Sequence, residues 1–237
     1  MNHRCYSAEP VSGDAIALAG VEAHHLLHVL RATPGMRVVL LDGSGDEFDA
    51  EVVACRRSSV ELAIHGRRTV DREFRPPVTL GVALPKGDRQ RWIVEKAVEL
   101  GVARLVPLVT QRSAAGDRPG DKLSRYVIEA SKQCGRNRLM EIADPCDWAD
   151  WLATGVDGRR WVAAPTGSPL PAPASLPPQP LYVAIGPEGG FTADELQAAR
   201  DAGWQVVALG PRILRIETAA AALAAWATLG ATERSGA

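Results

Sequence analysis

The sequence predicts an α/β protein in which a small β-rich part precedes a larger part built on a mostly parallel sheet. Short β-like runs follow one another between residues 36 and 64, whereas strand-like and helix-like segments alternate from residue 78 onward. The Pro76-Pro77 pair lies between these two patterns and interrupts both of them. We therefore expect two domains, over residues 1–75 and 78–237.

The N-terminal part begins with a helix and continues with three strands. The helix is predicted over residues 21–32, VEAHHLLHVLRA, and it ends before Pro34-Gly35. The strands are the runs MRVVLLD, EFDAEVVAC and SVELAI, which are separated by the polar stretches GSGD and RRSS. This pattern is typical of a small antiparallel barrel or sandwich.

The C-terminal part alternates strands with helices. The predicted strands are VTLGVAL, RLVPLV, RWVAA, LYVAIG and QVVALG, and the predicted helices are DRQRWIVEKAVELG, DKLSRYVIEASKQCG, TADELQAARDAG and ETAAAALAAWATLG. Asp88 is expected to cap the first of these helices and Gly101 to end it. The alternation implies a mostly parallel sheet covered on both faces. The proline-rich stretch from residue 165 to 180 is expected to be an irregular surface connection.

Composition favours a globular protein of the cytoplasm. Hydrophobic residues make up 46% of 237 residues, yet no run approaches the roughly 18 apolar residues of a membrane span, and the N-terminus has no signal-peptide core. We therefore expect no membrane association. The cysteines lack C-x-x-C spacing, which argues against a zinc site or a redox pair: they are Cys5, Cys55, Cys134 and Cys146.

The charge is unevenly distributed, although the net charge is only −1. Residues 77–140 carry 12 lysines and arginines against 6 aspartates and glutamates, a net charge of +6, whereas the segments on either side are acidic. A basic segment of this kind is either a phosphate-binding surface or a set of solvated helix faces. The charge alone leaves both open.

Two other classes of site are disfavoured. His24 and His28 are an i, i+4 pair, but no third ligand is evident and Arg31 shares their helix face, so we expect no metal site. The sequence also lacks the G-x-S-x-G elbow of Ser-His-Asp hydrolases.

Two glycine-containing turns are the strongest candidates for a ligand site. IGPEGGF (185–191) leaves a strand and meets a helix whose start is marked by the capping-box pair Thr192 and Glu195. It is neither a G-x-G-x-x-G nor a P-loop motif, and Glu188 suits a neutral or cationic ligand better than a pyrophosphate. One strand later, LGPRILRIET (209–218) repeats the arrangement. Both turns are therefore expected at one crevice, at the carboxyl ends of the strands.

Taken in order, the motifs of this chain resemble those of the RsmE family of SPOUT-class methyltransferases. The resemblance covers nearly the whole chain and includes RCY, HHLLHVLR (24–31), LPKGDRQRWIVEKAVELGV (84–102), PLVTQRS (107–113), EASKQCGRNR (129–138), IGPEGGF and LGPRILRIETAAAAL (209–223). It implies a PUA-like RNA-binding barrel over residues 1–75 and a SPOUT domain over residues 78–237. The family's SPOUT domain is a trefoil knot that holds S-adenosylmethionine, and its activity is methylation of N3 of a specific uridine in small-subunit (16S) ribosomal RNA.

By the same resemblance, the cofactor site is built from three segments near the ends of strands. Its expected residues are Ala164, Pro165, Gly186, Pro187, Glu188, Gly189, Gly190, Leu209, Gly210, Ile213 and Leu214. Ala164 stands where many relatives have a histidine, and Gln111 stands where a glutamate is common, so neither is expected to be essential.

The chemistry of the reaction points to two polar residues beside this site. An imide nitrogen must lose its proton before it attacks the methyl group, and the resulting negative charge spreads over the uracil oxygens. Arg215 is our candidate for holding that charge. Glu217 is the candidate either for orienting Arg215 or for accepting the proton, and the sequence leaves these two roles open.

The expected partners are small-subunit ribosomal RNA, within the assembled 30S particle, and a second copy of the chain. The residues expected to contact RNA are Arg4, Arg31, Lys86, Arg112, Arg136 and Arg138. Two alternatives remain: a non-catalytic RNA-binding dimer, and a SPOUT methyltransferase that acts on another RNA or on a ribose 2′-hydroxyl.

Overall fold

The structure is a computed structural model that describes residues 3–113, 121–154, 157–172 and 176–229. The chain divides into two compact units. The first comprises the described residues of Met1–Arg72 together with Ile128–Leu139, and the second comprises those of Glu73–Val127 and Met140–Ala237.

The first unit is built on a five-stranded sheet curled into a half-barrel. Its strands are β1 (His3–Tyr6), β2 (Ala15–Ala19), β3 (Arg37–Leu41), β4 (Asp46–Cys55) and β5 (Ser59–Thr69), in the spatial order β1-β3-β4-β5-β2. All pairs are antiparallel except β1 with β3. The helix α1 (Gly20–His24) continues into a π-helical turn at His25–Val29. The predicted helix therefore ends three residues earlier than expected, and β1 and β2 are strands that the sequence pattern does not predict.

A buried carboxylate organises the ionic contacts of the first unit. The Glu47 side chain is only 3% exposed and accepts hydrogen bonds from Arg4, Arg68 and Arg72. Burial alone raises the pKa of Glu47, but hydrogen bonds from Arg4 and Arg72 outweigh it and lower the pKa from 4.5 to about 2. Arg4 also donates to Asn137 Oδ1 at 2.5 Å, so β1, β4 and the segment 135–137 are tied together.

The second unit is built on a seven-stranded sheet in which every pairing is parallel. Its strands are β6 (Val78–Val82), β7 (Arg104–Val109), β8 (Glu141–Ile142), β9 (Cys146–Asp147), β10 (Arg159–Pro169), β11 (Leu181–Ile185) and β12 (Gln205–Ala208). The order is β12-β10-β11-β6-β7-β8, and β9 also pairs with β7. The helices are α2 (Asp88–Glu99), α3 (Asp121–Cys134), which continues into the first unit, α4 (Trp148–Ala153), α5 (Ala193–Asp201) and α6 (Ile216–Leu229).

The predicted α/β class, with a mostly parallel sheet and a small N-terminal β unit, is confirmed. The trefoil knot and the domain boundary at residues 75–78 stay predictions. The short elements β8, β9 and α4 are not evident from the sequence pattern. The position of Asp88 is also different from the prediction, because Gly87 is the N-cap residue and Asp88 is the first residue of α2.

One predicted loop is partly a strand. The sequence predicts irregular structure from residue 165, but β10 continues to Pro169 and pairs with β12 again through Ser168 and Pro169. Gly167 permits this pairing, since a Cβ at that position would lie 2.4 Å from the carbonyl carbon of Val207. The proline-rich composition of this segment therefore does not indicate the close backbone contact that it makes with β12.

Aromatic side chains form part of the core of the second unit. Trp148 and Phe191 have ring centroids 4.6 Å apart, and Trp151 and Trp204 have centroids 5.5 Å apart. Phe191 follows the GPEGG turn directly, so the turn is anchored on this cluster.

Among the described residues, no helix is long and apolar enough to cross a membrane.

Candidate active site

The parallel sheet brings the ends of its central strands to one edge. Ile185 at the end of β11 pairs with Val82 of β6 and with Ala163 of β10, and Ala163 pairs with Val207 of β12. The segments that follow β11 and β12 therefore leave the sheet side by side, next to the irregularity of β10 between Ala163 and Ser168. These three segments carry every residue expected to line the cofactor site: Ala164 and Pro165 after Ala163, residues 186–190 after β11, and residues 209–214 after β12.

The GPEGG segment forms a tight turn with a fixed exit into α5. The Gly190 N–H donates to the Pro187 carbonyl at 2.8 Å, and Gly190 has a φ of +67°, which favours glycine. Thr192 and Glu195 form the predicted capping box. Glu188 stands at the exposed corner of the turn, whereas Gly186 and Pro187 are buried beneath it.

The segment after β7 braces this turn. The Gln111 N–H donates to Glu195 Oε1 at 2.8 Å, and Arg112 Nη1 donates to the Gly189 carbonyl at 2.6 Å. Glu195 thus caps α5 and binds a second loop with the same carboxylate. Arg112, expected to contact RNA, is exposed but also has this contact within the protein.

The second turn leaves apolar and cationic side chains uncovered. Gly210 has a φ of +95° with no other atom near the position of a Cβ, and Ile213 is 88% exposed. Arg215 is exposed and stands immediately before α6, where its carbonyl accepts a hydrogen bond from the Ala219 N–H at 2.9 Å. The exposed Ile213 and Arg215 side chains are therefore both open to solvent at this edge of the sheet.

Arg89, which sequence reasoning missed, links the two turns. It lies in the first turn of α2 and donates from Nη1 to Glu188 Oε1 at 2.7 Å. From the other edge of the guanidinium, Nη2 donates to Glu217 Oε2 at 2.8 Å and Nε lies 3.1 Å from the same oxygen. The sequence gives no signal for this pairing, because Arg89 lies 128 residues from Glu217 along the chain and only the sheet order, in which β6 neighbours β11, brings α2 to this edge.

Glu217 is therefore paired with a residue other than the expected one. Hydrogen bonds from Arg89 lower the pKa of Glu217 below its usual 4.5, and the nearby charge of Arg215 lowers the pKa less than these hydrogen bonds do. Within the described ranges, no hydrogen bond joins Glu217 to the Arg215 side chain. Glu217 is ionised at neutral pH, and both of its oxygens accept hydrogen bonds from Arg89.

The residues expected to contact RNA differ in exposure. Arg31 and Arg138 are exposed in the first unit, and Lys86 and Arg112 are exposed in the second. Arg136 is buried, and the Arg4 side chain is only 16% exposed because Glu47 and Asn137 bind its guanidinium. Arg4 stabilises the first unit from within.

Comparison with known proteins identifies the family. Residues 72–228 match the family described as an RNA methyltransferase domain, and residues 18–64 match an RNA methyltransferase PUA domain. Ribosomal RNA small subunit methyltransferase E of Mycobacterium bovis is 33% identical over 227 residues, which cover 90% of this chain and 85% of the relative. The protein of the same name from Synechocystis is 32% identical. The match covers 89% of this chain and 72% of the relative.

Solved structures agree over almost the full chain. One of them is ribosomal RNA small subunit methyltransferase E from Neisseria gonorrhoeae, bound to S-adenosylmethionine. It superimposes with a TM-score of 0.85 at 30% identity, and the match covers 95% of this chain and 96% of that chain. A Legionella pneumophila methyltransferase in complex with S-adenosylmethionine has a TM-score of 0.89 at 27% identity, with 98% of both chains covered. The chain described here belongs to the RNA methyltransferase family, among the proteins named ribosomal RNA small subunit methyltransferase E.

Proposed function

We propose that this protein is an enzyme that transfers a methyl group from S-adenosylmethionine to N3 of a specific uridine in small-subunit ribosomal RNA. The observation that carries the proposal is the pair of glycine-containing turns at the carboxyl edge of the parallel sheet, with Arg215 exposed beside them. The names of the relatives support ribosomal RNA as the substrate, and the two cofactor-bound structures support the methyl donor. The choice of N3 of uridine rests on the family resemblance and on the cation at the site.

The chemistry of the turns fits this cofactor. Backbone groups, exposed Ile213 and partly buried Leu209 and Leu214 offer hydrogen bonds and apolar contacts to an adenosine, whereas no phosphate cradle is needed. Glu188 would contribute negative charge to a site that holds a sulfonium cation. When bound, S-adenosylmethionine supplies the electrophilic methyl group.

The chain's own residues then act on the acceptor. Arg215 stabilises the negative charge that spreads over the uracil oxygens when the imide proton leaves. Glu217 is a weak base at neutral pH, because its pKa is lowered and Arg89 already binds it. We therefore assign Glu217 to positioning, and the imide proton passes to solvent.

The proposed assembly is a homodimer that acts on the 30S particle in the cytoplasm. The helix α6 is apolar almost all round and leaves Ala221, Ala222 and Ala225 only partly buried, which suits close packing against a second copy. Exposed Arg31, Arg138, Lys86 and Arg112 are the proposed contacts to RNA phosphates. Arg4 and Arg136 are left out of this set because they are buried. Sedimentation at micromolar concentration should give a dimer mass, and a fully active monomer would contradict the assembly.

Methyl transfer tests the function directly. The protein is incubated with S-adenosylmethionine carrying a labelled methyl group and with either 30S particles or naked 16S ribosomal RNA, and the nucleosides are then analysed by mass spectrometry. We expect 3-methyluridine at one position and more transfer to the particle. Label on a ribose would contradict N3 of uridine as the methyl acceptor. Absence of transfer to both substrates would contradict the proposed methyltransferase activity.

A further inference from the structure

Among the residues that the structure describes, the side chain of Arg89 binds both turns of the candidate site. Its Nη1 binds Glu188 of the GPEGG turn, and its Nε and Nη2 bind Glu217 in the first turn of α6. The planar guanidinium holds the two carboxylates at opposite edges in a fixed relation. A lysine ammonium has no such geometry.

The contacts of Arg89 differ from an ordinary surface ion pair in what they connect. Its side chain is 38% exposed, and pairs at such sites contribute little to the free energy of folding. Nearby Arg91 forms such a pair with Glu95 one turn along the same helix. The Arg89 contacts, by contrast, join three segments that follow different strands of the sheet: the start of α2, residues 186–190 and the start of α6.

The arrangement also reaches Arg215. Glu217 is the second residue of α6, and Arg215 is the residue directly before this helix. Fixing Glu217 on Arg89 therefore fixes the point from which the Arg215 side chain extends. Without Arg89, the Glu188 and Glu217 carboxylates lose the cation that they share, so the repulsion between their like charges is no longer offset.

We propose that Arg89 is a positioning residue for methyl transfer, which sets the spacing of the two cofactor turns and the placement of Arg215 by binding Glu188 and Glu217 together. The inference rests on the proposed function. It assigns to Arg89 a role in aligning the site and leaves the contact with cofactor and RNA to other residues.

The test compares Arg89→Met and Arg89→Lys with the control Arg91→Met, which removes an exposed arginine two positions away. Calorimetry gives the dissociation constant of S-adenosylmethionine, and steady-state kinetics give kcat and the KM for 30S particles. For Arg89→Met we expect about tenfold weaker cofactor binding and a lower kcat, with the KM for the particle unchanged. Arg89→Lys should be intermediate, and Arg91→Met should match the wild type.

A second variant separates positioning from folding. In Arg89→Met/Glu217→Gln the unpaired charge of Glu217 is gone, so we expect cofactor affinity to recover partly while kcat stays low. If Arg89→Met lowers only the Tm, or keeps cofactor affinity and kcat within twofold of the wild type, Arg89 has no positioning role. A wild-type protein that neither binds S-adenosylmethionine nor methylates RNA would instead contradict the proposed function, and this inference with it.

Discussion

Glu47 and Glu217 are both held by arginines, but their surroundings give them different tasks. Glu47 lies inside the first unit and has three arginine partners, so its contacts stabilise that unit. Glu217 lies at the edge of the candidate site, where its partner Arg89 also binds a second turn. The contacts of Glu47 stabilise the fold, whereas the contact of Glu217 with Arg89 aligns the candidate site.

Removal of Arg215 should slow methyl transfer and leave cofactor binding intact. A donor that meets charge appearing only in the transition state contributes to rate, so Arg215→Ala should lower kcat by about 10²–10³. Calorimetry with S-adenosylmethionine should give a dissociation constant close to that of the wild type. Exposed Arg212, three residues earlier on the same turn, is the matched control. A near-normal single-turnover rate for Arg215→Ala would remove this arginine from the mechanism.

The stability of the first unit should fall in acid because of Glu47. The folded-state pKa is lowered to about 2, so the ionised carboxylate stabilises the fold above its ordinary value of 4.5, and this stabilisation is lost as the pH falls toward 2. The difference corresponds to roughly 3 kcal/mol at neutral pH. Urea unfolding of the wild type and of Glu47→Gln should therefore differ at pH 7 and converge near pH 2. Equal stability of the two proteins at pH 7 would contradict the assignment.

At the scale of elements, the turn at Gly210 should tolerate no branched side chain. Its φ of +95° strains any L residue, at a cost of about 1–2 kcal/mol, and the adjoining surface is a proposed cofactor contact. Gly210→Val should abolish cofactor binding. Gly13→Val is the matched control, because Gly13 has a φ of +83°, equally open surroundings and a place in the first unit. Unchanged affinity in a folded Gly210→Val protein would remove this turn from the cofactor site.

The elements show how far sequence patterns predict this structure. Periodicity and capping chemistry are local, so the α2 and α5 helices and the Thr192–Glu195 capping box follow from the sequence. The continuation of β10 to Pro169 depends on a backbone contact with a distant strand, and no local pattern records it. The same limit applies at the site. Glu217 is predicted beside its sequence neighbour Arg215, whereas its partner Arg89 is 128 residues away along the chain.

At the scale of the whole molecule, binding of RNA should depend steeply on salt although the net charge is −1. The exposed cations of the two units are proposed phosphate contacts, and each true contact releases about one counterion. The slope of affinity against salt concentration should therefore flatten by about one for each substitution to alanine of Arg31, Lys86, Arg112 or Arg138. Binding of 16S ribosomal RNA measured from low to physiological salt tests this. An unchanged slope in the fourfold variant would leave these residues as a solvated surface.

The aromatic cluster beneath the GPEGG turn couples the intrinsic tryptophan fluorescence of the protein to the candidate site. The indole of Trp148 packs against Phe191, and its Nε1–H donates to the Glu195 carbonyl at 3.2 Å, so the chromophore is attached to both ends of the capping segment. A ligand that shifts the turn changes the packing and polarity around this indole. We therefore expect the tryptophan emission of the protein to change when S-adenosylmethionine binds, which can be measured without a dye or a radioactive label.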